Sequence, residues 1–110
     1  MIDFHTAYRS EQPAMVRFTG IVTGNPRFFH ASRSRYDHES FPVRTADGPV
    51  EIVENVSLAP RIPVRAGDRV EVQGEMVHDP GRIPCVHFVH HDPEGTHPDG
   101  YVRIGNRIYA

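Results

Sequence analysis

The sequence predicts a single all-β domain built from short strands. A chain of 110 residues is long enough for one hydrophobic core and too short for a second domain of ordinary size. Its 10 prolines and 9 glycines interrupt nearly every window in which a long helix could form. Between these interruptions several segments alternate apolar and polar residues with a period of two, as half-buried strands do.

The first predicted element is a short amphipathic helix over residues 3–12. Its apolar side chains share one face: Phe4, Ala7 and Tyr8. Asp3 is a suitable N-cap because its carboxylate accepts from the free amides of the first turn. Pro13 ends the helix, since the residue before a proline avoids helical geometry.

Three strands are predicted next. In the first strand, which begins at Met15, one face is apolar: Val16, Phe18 and Val22. Gly20 interrupts that face and indicates a bend or bulge of the kind that small barrels need. The second strand covers residues 41–45, a turn follows at Asp47–Gly48, and the third strand returns over residues 50–55.

The second half of the barrel starts with a segment that is not a strand. Residues 56–67 contain two prolines and are expected to cross the core, with Leu58 and Ile62 plugging the barrel end. The remaining strands are predicted over residues 69–78 and 83–90, and a terminal hairpin over residues 101–104 and 107–109. In the first of these the inward side chains are Val70, Val72 and Met76.

Five strands with a crossing between the third and fourth predict an OB-like Greek-key barrel. The start of the fourth strand, Gly67-Asp68-Arg69-Val70, is common in such folds and also in SH3-like barrels. The sequence therefore predicts one domain in three parts: a helical segment over residues 1–13, a barrel over 14–92, and a His/Asp turn with a terminal hairpin over 93–110.

Several stretches resemble the bacterial domain of unknown function 3465, from about Val16 onward. They are Gly20-Ile21-Val22, residues 55–62 (NVSLAPRI), residues 67–75 (GDRVEVQGE) and residues 87–101 (HFVHHDPEGTHPDGY). The resemblance implies an OB-type barrel, with no defined activity, in a family whose members often resemble exported proteins. Two positions depart from the family pattern, which has tryptophan in place of Phe88 and a His-Asn pair in place of Glu54-Asn55.

Composition restricts the function classes. The formal charge is −2 and all 12 basic residues are arginines, so any attraction to nucleic acid is local and weak. A single cysteine, Cys85, excludes an internal disulfide and a Cys-based zinc finger. No apolar run predicts a membrane span. The start lacks a secretory pattern, which predicts a cytoplasmic protein, or an exported one from which the export segment has been removed.

The first candidate site is the connection between the first two strands, residues 25–39. It combines arginines with rings, and with Arg61 from the crossing it forms the predicted ligand-binding set: Arg27, Phe29, Arg33, Arg35, Tyr36, His38 and Arg61. Guanidinium groups neutralise phosphates and aromatic rings stack on bases, and this loop is a common oligonucleotide contact in OB folds. The alternative is a polar hairpin with Phe28 or Phe29 in the core, and with Arg61 paired to a carboxylate such as Glu75.

The second candidate site is the histidine-rich tail. The predicted metal set, for zinc or manganese, is His87, His91, Asp92 and His97. His87 and His91 are placed on one face of the last strand, and the turn over residues 93–95 brings His97 back towards them. The alternative is a hydrogen-bonded scaffold in which Asp92 and Asp99 accept backbone amides and the histidines bond to carbonyl groups.

Three functions stay open from the sequence. The leading hypothesis is a non-enzymatic module that binds single-stranded nucleic acid, a nucleotide or a similar anionic ligand. The second is a metal-dependent hydrolase, such as a nuclease, that uses the His-Asp tail. The third is a structural or interaction domain without a ligand.

Overall fold

The computed structural model describes residues 1–31, 33 and 35–110. Within them it contains one helix and eight strands: α1 (Phe4–Arg9), β1 (Ala14–Val22), β2 (Arg27–His30), β3 (Asp37–Thr45), β4 (Gly48–Asn55), β5 (Arg69–Val77), β6 (Cys85–His87), β7 (Tyr101–Ile104) and β8 (Arg107–Tyr109). No helix in this part of the chain has the length and apolarity that a membrane crossing requires.

Five of the strands close a barrel in the order β1-β3-β4-β6-β5, with β5 returning to β1. Neighbours are antiparallel except β4 and β6, which run parallel. This confirms the predicted five-stranded OB-like Greek-key barrel. In a closed barrel every strand pairs on both sides. The barrel closes at β1, which pairs with β5 along most of its length and with β3 at its end. Gly20 allows this because a Cβ there would lie 2.6 Å from the Arg44 carbonyl oxygen.

The core lies inside the barrel and follows the predicted alternation. Its fully buried side chains on β1 and β5 include Val16, Val22, Val70, Val72 and Met76. The predicted helix packs against this core through Phe4, Ala7 and Tyr8, the face that the sequence indicates. Asp3 accepts the Thr6 amide and Ala7 is buried, while the Phe4 ring packs 4.4 Å from the Phe18 ring. The helix ends earlier than predicted because Ser10 already has an extended backbone.

Three local predictions are wrong. Leu58 does not plug the barrel: the turn that follows Asn55 carries it to the surface, where it is 60% exposed, whereas Ile62 is buried as expected. The first hairpin turns at residues 46–47, and Gly48 already pairs with Thr45. The last barrel strand stops at His87, because Phe88 adopts a left-handed backbone with φ of 56°.

The chain after β6 leaves the barrel and then returns to it. β6 and β7 both pair with β5, β6 at residues 75–77 and β7 at residues 70–73. Residues 88–100, here the 88–100 loop, connect these two strands. β7 and β8 then form the predicted terminal hairpin. The 88–100 loop is therefore held at both ends to the same strand.

Candidate functional site

A cleft of about 420 Å³ lies between the 88–100 loop and the outer face of β3 and β4. From the barrel it is lined by His38, Val53 and Asn55, which point outward because they alternate with buried neighbours on each strand. Tyr36 and Leu58 stand at its border. His87 lines it from the end of β6, and the 88–100 loop contributes the remaining lining residues: Phe88, His90, Asp92, Pro93, Glu94, Thr96 and His97.

Asp92 organises the 88–100 loop. Its Oδ1 accepts the Glu94 amide at 2.9 Å, and its Oδ2 accepts the Thr96 amide at 2.5 Å and the His97 amide at 3.0 Å. The Thr96 hydroxyl also donates to Oδ2, and these bonds hold the pKa of Asp92 well below its usual range. Asp99 in turn accepts the Asp92 amide at 3.0 Å. These are the contacts that the scaffold interpretation of the tail predicts.

Aromatic rings form one wall of the cleft. The Phe88 ring stacks on His87 with centroids 3.8 Å apart and on His97 with centroids 4.0 Å apart. His90 meets the His97 ring edge-on at 5.0 Å. On the opposite side Phe29 stacks on His38 at 5.5 Å. The cleft is therefore bordered on two sides by stacked rings, which suits a flat ligand.

The imidazoles in the cleft are fixed in orientation. His38 bonds through Nδ1 to the Tyr36 carbonyl at 3.0 Å, and His90 and His97 bond in the same way to the carbonyls of His91 and Pro98, both at 2.8 Å. A carbonyl oxygen only accepts, so Nδ1 carries the hydrogen in all three rings. His87 instead donates through Nε2 to the Glu75 carboxylate at 2.7 Å.

Gly100 lets the backbone of the 88–100 loop lie directly against β5. A Cβ at this position would collide with the Phe88 carbonyl oxygen and would lie 2.5 Å from the Gln73 carbonyl oxygen. The Gly100 amide donates to the His90 carbonyl at 2.9 Å. The close approach holds the backbone of Phe88 and His90, two residues that line the cleft, near β5.

The predicted metal set does not converge. His91 is 62% exposed and its Nδ1 bonds to Asp99 at the loop surface, because the strand that would have aligned it with His87 ends too early. His97 Nε2 lies 3.8 Å from Asp92 Oδ2, whose lone pairs already accept other donors. Among the residues that the structure describes, no group of three or more His, Cys, Asp or Glu is arranged to hold a metal ion. Zinc or manganese binding at the tail therefore stays a prediction that no ligand cluster among the described residues supports.

The predicted ligand-binding residues separate into two groups. Tyr36 and His38 line the cleft, and Phe29 supports His38. Neither Phe28 nor Phe29 enters the core, since their exposed fractions are 47% and 41%. Arg27, Arg33 and Arg35 are exposed on β2 and the loop that joins it to β3, and of the described residues that line the cleft none is an arginine.

Arg61 does not pair with Glu75, the carboxylate named for it. Its guanidinium lies 4.5 Å from the centroid of the Phe28 ring, a cation–π contact. Glu75, the carboxylate proposed for it, is instead bonded to His87. The carboxylate whose pKa Arg61 influences is Glu39.

The sequence reasoning missed a pair of buried glutamates in the barrel wall. Glu39 on β3 and Glu54 on β4 are direct cross-strand partners and have exposed fractions of 0% and 1%. Glu39 accepts the Ile62 amide at 2.8 Å, and Glu54 accepts the Asn55 amide at 3.1 Å. The second carboxyl oxygen of each finds no partner among the described residues. Burial, together with the neighbouring Glu39 carboxyl, raises the pKa of Glu54 to about 8.

Comparison with known proteins places the chain in a family. The family model described as "Protein of unknown function (DUF3465)" matches residues 3–110. No curated protein and no solved structure matches the chain. The match includes the barrel, the 88–100 loop and the terminal hairpin, so the chain belongs to the DUF3465 family of proteins of unknown function.

Proposed function

We propose that this protein is a binding module for single-stranded nucleic acid or a nucleotide, and that the cleft receives a base. The observation that carries the proposal is the position of the ring-lined cleft on the outer face of β3 and β4. These strands are the second and third of the barrel, and OB folds bind oligonucleotides on that face, with help from the loop between the first two strands. Here that loop supplies Tyr36, next to the cleft.

The size and lining of the cleft fit a base. A volume of about 420 Å³ falls within the range of small-molecule sites. His87, Phe88 and His97 form a stack in which the two imidazoles cover both faces of Phe88, so a base would stack on an outer imidazole face that Phe88 holds in place. Such stacking contributes about 1–3 kcal/mol per base in single-strand binding. Val53, Leu58 and Pro93 supply the apolar contacts that exclude water from around the ring.

The charge pattern assigns the phosphates to the rim. Asp92 and Glu94 make the cleft itself unsuitable for an anion. Arg33 and Arg35 are exposed in the loop that leads to Tyr36, where they can neutralise phosphates of a strand whose base enters the cleft. With a formal charge of −2 for the whole chain, we expect weak and salt-sensitive binding.

Fluorescence anisotropy with a short labelled oligodeoxynucleotide that contains all four bases tests the proposal. Changing Arg27, Arg33 and Arg35 together to alanine should weaken binding and flatten the salt dependence by about two units of slope, for three phosphates on a single strand. The matched control removes three exposed arginines elsewhere, at Arg9, Arg65 and Arg82, and should retain most of the affinity and the slope.

The stacking surface is tested separately. Phe88→Ala should weaken binding about tenfold or more, whereas Phe28→Ala, which removes an exposed ring outside the cleft, should not. Thermal melts of both variants establish that they are folded. The proposal fails if the wild type shows no salt-dependent binding at low ionic strength, or if the two arginine triples lose affinity equally.

A further inference from the structure

We propose that the cleft selects bases that carry an exocyclic amino group, namely cytosine, adenine and guanine, over uracil and thymine. This inference rests on the proposed function and names the class of base that the same site takes. It follows from the hydrogen-bonding character of the atoms that the imidazole rings leave available.

His90 carries the argument because it is both buried and part of the cleft. Its exposed fraction is 4%, and its ring lines the cleft beside His97. Its Nδ1 hydrogen is used by the His91 carbonyl, so in the neutral ring Nε2 has a lone pair and no hydrogen. Nε2 makes no hydrogen bond to the part of the chain that the structure describes, and it is therefore an acceptor without a donor.

Two further imidazoles repeat this arrangement. His38 and His97 also line the cleft, and their Nδ1 atoms also bond to main-chain carbonyls. The Nε2 atom of His97 lies 3.8 Å from a carboxylate oxygen of Asp92, a distance too long for a hydrogen bond. His90 and His97, whose rings meet edge-on with centroids 5.0 Å apart, thus each present an Nε2 acceptor, and the two N–H groups of one amino substituent can donate one hydrogen to each.

The surrounding charge acts in the same direction. Asp92 and Glu94 border the cleft, and Asp99 lies behind Asp92 in the same loop. The arginines of the loop before β3 are outside the cleft. The potential inside therefore favours the positive end of an N–H dipole over the negative end of a carbonyl.

The hydrogen-bonding groups of the bases explain why these acceptors would distinguish cytosine from uracil. An amino group offers two N–H donors at the edge of the ring, whereas uracil and thymine present two carbonyl oxygens on either side of one N–H. A carbonyl oxygen that faces His90 Nε2 leaves both acceptors without a hydrogen, and a buried polar group left unpaired is penalised. Stacking does not distinguish cytosine from uracil, because the two rings have the same size.

The test compares short labelled oligomers of deoxycytidine and deoxyuridine, which differ only at the hydrogen-bonding edge of the base. We expect the wild type to bind the cytidine oligomer about tenfold more tightly. His90→Asn retains a side-chain N–H for the His91 carbonyl and removes Nε2, so it should reduce the ratio towards one. His5→Asn, at an exposed histidine outside the cleft, should leave the ratio unchanged. If His90→Asn does not fold, His38→Asn gives the same comparison at a more exposed position.

The outcomes separate this inference from the proposed function. Equal affinity for the two oligomers, or a preference for uridine, would overturn the base selection and leave the binding function intact. A cytidine preference that survives His90→Asn, or His38→Asn where the first variant does not fold, would also overturn it. If neither oligomer binds to the wild type, the proposed function itself fails.

Discussion

The buried glutamate pair predicts that Glu54→Gln stabilises the protein at neutral pH. Glu54 is 1% exposed, and burial raises its pKa to about 8 from an ordinary value of 4.5. Between these two values the folded chain holds a proton that the unfolded chain has released. The free energy of unfolding therefore falls as the pH rises through this window, and the whole penalty is present above pH 8.

The size of the effect follows from that window. Each pH unit inside it costs about 1.4 kcal/mol, so the wild type should lose about 3 kcal/mol between pH 5.5 and 7.5 through this group. Glutamine has the same shape and does not titrate, and its amide can donate to the unpartnered oxygen of Glu39. The variant should lack this contribution and should be more stable than the wild type at pH 7.5.

Urea denaturation followed by circular dichroism at pH 5.5, 6.5 and 7.5 measures the free energy of unfolding of the wild type and of Glu54→Gln. The difference between them cancels the titrating groups that do not interact with Glu54, so it reports Glu54 together with its cross-strand partner Glu39. Glu51→Gln is the matched control, because Glu51 is on the same strand and points outward. The reasoning is refuted if the stability difference between wild type and Glu54→Gln does not change with pH, or if Glu51→Gln reproduces it.

Three further changes test the fold and the 88–100 loop. Gly100→Ala should cost about 1–3 kcal/mol in chemical denaturation, because its Cβ collides with the Phe88 carbonyl; an unchanged midpoint would contradict the close approach. Asp92→Asn should lower the Tm at pH 7. It should also weaken the loss of stability as the pH falls below the ordinary pKa of an aspartate towards the lowered pKa of Asp92. A Tm that matches the wild type at pH 7 and throughout this acidic range would count against the role of Asp92. Val72→Ala should cost about 1–3 kcal/mol, and a surface-like loss would mean that β5 has the wrong register.

The barrel could be predicted because its strands alternate cleanly. The pattern around Val70, Val72 and Met76 has only one register that buries all three side chains, and the structure has that register. The early end of β6 could not be predicted in this way. An alternating pattern continues through Phe88, and a left-handed backbone at an aromatic residue depends on tertiary contacts that no local pattern records.

The cleft brings together only part of the two residue sets that the sequence predicts separately. The loop before β3 and the histidine tail are more than 50 positions apart, and nothing in their spacing relates them. They meet because β3 and β6 lie on either side of β4, so the start of one and the end of the other border the same surface. The burial of Glu39 could not be predicted because the predicted strand begins at residue 41. That boundary leaves Glu39 in a loop, whereas in the structure it lies on β3 and faces the core.

The attachment of both ends of the 88–100 loop to β5 has a consequence for how this family can diversify. Because β6 and β7 hold the ends in place, the length between them can change at a small entropic cost, about 0.6 kcal/mol for a doubling. Residues 93–96 are exposed and pair with no strand of the barrel. Insertions at these positions would change the part of the 88–100 loop that lines the cleft and would leave the barrel strands unchanged. New ligand preferences could therefore evolve, or be engineered, by exchanging one short segment on a constant scaffold.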